Sequence, residues 1–276
     1  VRPVVWRRSG GFALLVVLWT LVLIAFIVAH LTASGRTEIR IAGNLVADAV
    51  AQAADDGAIF AAIFNQLDPN PDQRWPLNGQ AREVTIGNRR VMVQLEDEAG
   101  RINPSTASAA LLEALLRTTG SDAESARRLA AAIGEWVGSA AVARPHDAVL
   151  ADYQAAGLDY GPPGEPFETL DELGRVIGMT PAVLAEIRPH LTLFGPPAPN
   201  PANADPVVAA ALAESAQTAQ APLPANQPPP DLLTVRITAT AVGPGTARST
   251  RRAVVRVGAM LPGGYAVLAW GGSGFD

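Results

Sequence analysis

The chain has 276 residues, enough for one large or two small domains, and is 49% hydrophobic but only 5% aromatic. Its net charge of −5 gives no general reason to expect nucleic acid as a partner, and all 21 basic residues are Arg. With no Cys, disulfides, a Cys-type zinc site and a thiol nucleophile are excluded.

The first element dominates. Phe12 to Ala33 reads FALLVVLWTLVLIAFIVAHLTA, 22 residues without a formal charge and long enough to cross a bilayer. Arg2, Arg7 and Arg8 precede it with no acidic residue to balance them, so the positive-inside rule keeps the N-terminal side cytoplasmic. A secretory signal carries its small residues after the apolar run. Here the small pair, Gly10-Gly11, comes before it. Cleavage between Gly11 and Phe12 would remove the basic leader and keep the helix, which is the logic of a prepilin leader.

Beyond the apolar run, Ile39, Ala42, Val46, Val50, Ala53, Ile63 and Leu67 recur at roughly helical spacing. Gly57 weakens the pattern and Asp68-Pro69-Asn70-Pro71 ends it. The spacing predicts one helix over 12–67, ~84 Å long at ~1.5 Å per residue. It reads as a stalk that packs against other stalks, with a head above.

The segment Arg8-Ser9-Gly10-Gly11-Phe12-Ala13-Leu14-Leu15-Val16-Val17-Leu18-Trp19, with Ala33-Ser34-Gly35-Arg36-Thr37-Glu38, resembles the type IV pilin and pseudopilin superfamily. More narrowly it is similar to the general secretion pathway protein K (GspK) family, the minor pseudopilins of type II secretion. Most of the superfamily carries Glu as the fifth mature residue, where it meets the free amine of a neighbouring subunit. Here that residue is Val16, a departure that the K-type family shares. A carboxylate in hydrocarbon is costly unless a cation neutralises it; Val16 avoids that cost and forfeits that contact. The resemblance implies a place at the fibre tip.

In the head, Val84-Thr85-Ile86, Gly87-Asn88-Arg89 and the alternating Val91, Val93 and Leu95 read as a β-hairpin, followed by the charged turn Glu96 to Arg101. Helices follow. Ala109 to Leu116 is short and apolar. Ser121-Asp122-Ala123-Glu124 has the form of a capping box, with Ser121 as N-cap, before a face of Leu129, Ile133, Trp136 and Val137. Phe167 to Leu193 holds two short helices joined at Gly178, with Thr180 as N-cap, Pro181 at the first helical position and Pro189 limiting the second. An Asn-Pro motif at Asn103 precedes Leu111, Ala114 and Leu115, and another at Asn200 precedes Val208, Ala211 and Leu212, a weak internal echo. Glu214 to Pro230 reads as a Pro/Ala-rich linker. Strand character returns at Leu233 to Ile237, Arg252 to Val257 and Tyr265 to Trp270, with Gly-Pro turns between.

This order suggests one sheet interrupted by a helical insertion, and together with the resemblance it implies an α/β, pilin-like fold: a long N-terminal transmembrane helix on an antiparallel sheet, with a large helical domain inserted between strands. The divisions are 1–11 leader, 12–67 transmembrane and stalk helix, 68–100 first part of the sheet domain, 101–213 inserted helical domain, 214–231 linker and 232–276 remaining strands. The family resemblance implies the same plan. It rests on Asp97-Glu98-Ala99-Gly100-Arg101-Ile102-Asn103-Pro104, Ala132-Ile133-Gly134-Glu135-Trp136-Val137, Leu170-Asp171-Glu172-Leu173 and Gly178-Met179-Thr180.

Catalytic patterns are wanting. His30 sits at the outer end of the membrane stretch, His190 follows Pro189 at a helix end, and His146-Asp147 has no nucleophile elbow beside it. The Gly178 turn resembles helix-hairpin-helix modules that hold DNA phosphates, but only Arg175 and Arg188 lie near it. The resemblance makes calcium possible. Yet the loop after Trp136 has few acids, and Asp147, Asp152, Asp159 and Glu165 are widely spread, so no ligands are assigned. The expected function is a non-enzymatic minor pseudopilin of the bacterial type II secretion system. It would be cut by prepilin peptidase after Gly11 and N-methylated at Phe12. It would sit as a single-pass protein of the cell inner membrane with its head in the periplasm. Its partners would be the I- and J-type minor pseudopilins, the inner-membrane assembly platform and the peptidase. Ile39, Val46, Val50 and Ala53 are the stalk-packing candidates. The alternatives are a minor pilin of a type IV pilus and a signal-anchored periplasmic enzyme.

Overall fold

A computed structural model describes residues 10–139, 145–219, 232–242 and 248–272. Helix α1 (Gly10–Gln66) runs for 57 residues without a break. Its last turn is tied to the chain that follows. The Asn65 side-chain amide donates to the Gln73 carbonyl and its oxygen accepts from the Trp75 N–H, while Gln66 donates to the Trp75 carbonyl. These side chains hold the chain that the Pro-rich stretch turns away from the helix.

Five strands form one antiparallel sheet in the order β1-β2-β3-β4-β5: β1 (Arg82–Ile86), β2 (Arg89–Asp97), β3 (Leu233–Val242), β4 (Arg248–Val257) and β5 (Tyr265–Gly272). The hairpin between β1 and β2 turns at Gly87, whose φ of 60° suits glycine. Alternation decides the faces. Val91, Val93 and Leu95 on β2, Val235 and Ile237 on β3, and Ala253 and Val255 on β4 all point at α1 and are buried. From α1 they meet Ala51, Ala54, Ala58, Ile59, Ala62 and Ile63. The small alanines let the helix lie close, and the isoleucines fill the space between strands. Gly57, which weakens the helical pattern in sequence, has a packing reason: a Cβ there would stand 3.0 Å from Ile86 Cγ2.

The helical unit sits between β2 and β3. Its helices are α2 (Ala109–Thr118), α3 (Ala123–Trp136), α4 (His146–Ala155), α5 (Pro181–Ile187) and α6 (Pro206–Ala219). They enclose a second core around Leu115, Ile133, Leu173 and Val208. Trp136 stacks on Phe167 with ring planes 3° apart and 6.2 Å between centroids. The buried Tyr153 hydroxyl accepts from the Ile177 N–H at 3.1 Å.

Several local expectations need correction. The N-cap of α3 is Asp122, not Ser121. The Asp122 carboxylate accepts from the N–H groups of Glu124 and Ser125, so the box centred on Ser121 does not form and Glu124 pairs with Arg128 instead. A charged acceptor one residue later satisfies two orphan amides at once. Helix α6 continues through Ala219, into the stretch read as linker, because Ala-rich sequence keeps helix propensity where periodicity fades. β4 starts at Arg248, earlier than Arg252, since its outer arginines hid the strand alternation. The first of the two short helices before Leu193 is a 3-10 turn, Leu170–Arg175, closed by a capping box between Thr169 and Glu172. The second, α5, stops at Ile187, just before Pro189 as expected, and Pro189 itself lies in a further 3-10 turn, Arg188–His190. The Thr180 cap and Pro181 at the start of α5 are as expected. Helix α4 has no sequence forecast at all.

Candidate assembly surface

The surface that the fold leaves open begins with the apolar half of α1. Phe12–His30 has mean hydropathy 3.0 and none of it is buried by the rest of the chain. Its 19 residues span ~28 Å at ~1.5 Å per residue, close to the ~30 Å of a hydrocarbon core. Thr20 is made tolerable there by donating its hydroxyl to the backbone carbonyls of Val16 and Val17, at 3.0 and 2.9 Å. Val16 itself faces outward, so the position that carries a carboxylate in most pilins is apolar and open. Gly11 and Phe12 lie in the first turn of α1. His30, at the far end of the span, stacks on Phe26 at 6.3 Å.

Among the described side chains of α1 above the span, Ala51 is the first that is buried against the sheet. The apolar row expected along it separates into two faces. Ile63 packs into the sheet and Leu67 packs against that core, whereas Val46, Val50 and Ala53 point the other way and are exposed, Val46 at 63%. The Ile39 side chain lies outside the described residues. At 100° per residue, Phe60 and Phe64 continue the outward stripe, and Phe64 is 80% exposed. These two phenylalanines were missed in the sequence. The signal was available: with Ile59, Ala62, Ile63 and Gln66 turned inward, positions 60 and 64 must turn out.

One acid lies on the inward face. Asp55 is fully buried, and neither carboxylate oxygen has a well-formed hydrogen bond. Burial raises its pKa from 3.8 to about 6, and the neighbouring Asp56 pushes the same way; Ser249, the Ala241 backbone and Arg251 oppose this only in part. Arg251 is engaged by Asp56, Nε to Oδ1 at 3.2 Å.

The helical unit is clasped to the sheet where it leaves β2. Glu98, fully buried, pairs with Arg236 on β3. Asn203 donates to Asp97, the Asn200 N–H donates to the Ala99 carbonyl at 2.7 Å, and Ile102 bridges Leu191 in parallel. Asn103 donates to the carbonyls of Leu193 and Gly195. A Cβ on Gly100 would come within 2.1 Å of the Asn203 carbonyl oxygen, so only glycine fits. The two Asn-Pro motifs do parallel work: Asn103 and Asn200 each accept from the N–H two residues on, and the helices they precede bury Leu111, Ala114, Leu115 and Val208, Ala211, Leu212 in the same core.

The remaining candidate chemistry does not gather. His190 Nδ1 lies 2.7 Å from Asp205, and Asp205 caps α6 by accepting from Val207 and Val208. That pairing holds Asp205 below the usual carboxylate range despite its partial burial. Arg188, one of two cations near the Gly178 turn, is bound to Asp171. The side chains of His146 and Asp147 lie outside the described residues. Among the described residues no three His, Asp or Glu come together as a metal cage.

Residues 91–197 match the family of type II secretion system (T2SS) protein K. Among solved structures, a chain of the GspK-GspI-GspJ complex from the type 2 secretion system of enterotoxigenic Escherichia coli shares the fold. Its TM-score is 0.53 at 16% identity, over 86% of this chain and 98% of that one. No curated protein matches the sequence at a significant level. The matched span begins inside β2, takes in helices α2 to α5 and stops short of Asn200, Asn203 and Arg236.

Proposed function

We propose that this chain, a protein K of the type II secretion system in its helical unit, works as a minor pseudopilin: it sits at the tip of a short periplasmic fibre with I- and J-type subunits and takes part in protein export. The observation that carries this is the course of α1. An uncharged membrane span passes without a break into a helix whose far side is held by the sheet and whose near side presents Val46, Val50, Ala53, Phe60 and Phe64 to a neighbour.

The role is positional. In the inner membrane the span anchors the chain, with Arg2, Arg7 and Arg8 on the cytoplasmic side and the head in the periplasm. Prepilin peptidase cuts between Gly11 and Phe12, leaving the apolar helix as the mature N-terminus. Other stalks then pack on the outward stripe, where burying each phenylalanine contributes ~1.5–3 kcal/mol. Val16 brings no carboxylate to a neighbour's amine, which suits a subunit with nothing stacked above it. The chain performs no chemistry: His190 and Asp205 secure a helix start, and the clasp fixes the helical unit on the sheet.

The test is to purify the chain from cells with an intact secretion system, sequence its N-terminus and identify what comes with it. The expected result is a mature chain beginning at Phe12, with a methylated amine, in complex with two smaller pilin-like subunits. A chain that retains its leader in secreting cells, or one that purifies alone from the assembled system, overturns the proposal.

A further inference from the structure

The sheet ends differently at its two edges. β1 has five residues, carries Arg82 and Glu83, and has Arg82 lying over the Trp75 ring at 5.1 Å. Short, charged edges resist pairing with other strands. β5 has eight residues, YAVLAWGG, with no charge and no proline. Among the described residues its one ladder neighbour is β4, so its outer row of N–H and C=O groups has no ladder partner there. An extended strand supplies donors and acceptors at the matching spacing, and a helix or a small molecule does not.

Apolar surface continues from this edge onto α1. Trp270 on β5 lies 5.3 Å from Phe60 between ring centroids, and Phe64, one turn further along α1, and Val267, on the same strand as Trp270, are exposed. A register shift opposite Val254 and Val255 leaves Leu268 as an extra residue and divides the edge into Tyr265–Val267 and Ala269–Gly272. The second run ends in two glycines, and a Cβ added at Gly272 would meet nothing within 4 Å, which leaves room for another backbone.

We propose that the edge of β5, centred on Ala269–Gly272, accepts an extended strand from the head of a neighbouring pilin-like subunit, so that the sheet continues across the subunit boundary. This rests on the assembly reading above. The edge joins the outward stripe of α1 through the Phe60–Trp270 pair, so a neighbour seated on the stripe brings its own head alongside β5. Backbone pairing then fixes the height and rotation of the two heads, which apolar helix contacts alone leave loosely defined.

The full chain is expressed in secreting cells with a photo-crosslinking phenylalanine analogue at Ala266 or Ala269 on β5, at Thr85 on β1, or at Val46 or Val50 on α1. Adducts are identified by mass spectrometry. The expected result is an adduct between the β5 positions and a strand of another pilin-like subunit, roughly tenfold above the Thr85 level. Both β5 positions giving no adduct, adducts equal to those from Thr85, adducts with a second copy of this chain, with lipid, or with this chain's own residues each overturn it. If Val46 and Val50 crosslink to other subunits while β5 does not, the edge proposal fails and the assembly reading stands. If neither helix nor edge crosslinks, the assembly reading fails first.

Discussion

Replacing Asp55 with Asn should change how the stability of the head depends on pH. Asp55 is buried between α1 and the sheet without a well-formed partner, and its pKa stands at about 6 against an ordinary 3.8. The folded state therefore holds a proton that the unfolded state releases between these values. Stability is greatest below pH 3.8 as far as this group is concerned, falls as pH rises to about 6, and is flat above. The gap corresponds to ~3 kcal/mol lost across that window. Asp55→Asn removes the ionisation and keeps the shape. Urea unfolding of the full chain in detergent, followed by Trp fluorescence at pH 4, 5, 6 and 7, reads the effect, with Trp75 and Trp270 reporting from packing against the same core. The wild type should lose up to ~3 kcal/mol relative to the variant between pH 4 and pH 7. Parallel pH profiles for the two proteins would refute the account of Asp55 as a buried, poorly paired acid.

Glu98→Ala should cost ~3–5 kcal/mol, because it leaves the Arg236 guanidinium buried without its carboxylate. Glu98→Leu combined with Arg236→Met should recover most of that loss in the same urea titrations, and equal loss in the single and double variants would show that packing, not charge, holds the junction. Gly100→Ala should cost ~1–3 kcal/mol, since its Cβ lands 2.1 Å from the Asn203 carbonyl. The junction between helical unit and sheet should then become the first site of limited proteolysis; unchanged stability and an unchanged cleavage pattern would contradict the close approach.

The long helix, the β1–β2 hairpin and the insertion of helices between strands were legible because each rests on local signals: an uncharged run, alternation with a Gly turn, and a switch of period. The division of α1 into two faces was not. Ile63 and Val50 sit in the same apolar row on paper, and only the sheet, built mostly from residues 170 positions further on, decides which one turns inward. Helix α4 escaped notice because His146–Ala155 has no side-chain N-cap and the residues it buries, Val149 and Tyr153, are too few to set a period. The clasp was half visible. The segment from Asp97 to Pro104 stood out as a landmark, but its partners, Arg236, Asn200 and Asn203, are distant in sequence and ordinary in type. Asp55 looks like any polar residue of an amphipathic helix until the sheet covers it.

The pairing of β2 with β3 has a kinetic consequence. Asp97 lies opposite Val235, so the middle of the sheet joins strands separated by the whole helical unit. Closing so long a loop is entropically slow unless the intervening chain shortens it first. The helices contact one another within the inserted unit, α2 packing on both α3 and α6, so they can form before β3 is in place. Once Ile102 meets Leu191, the two ends of the unit lie side by side, and β3 is delivered next to β2. The insertion thus serves as a splint for the strands that flank it. A defect in its core would first show as slow pairing of β2 with β3, ahead of any change in the finished sheet.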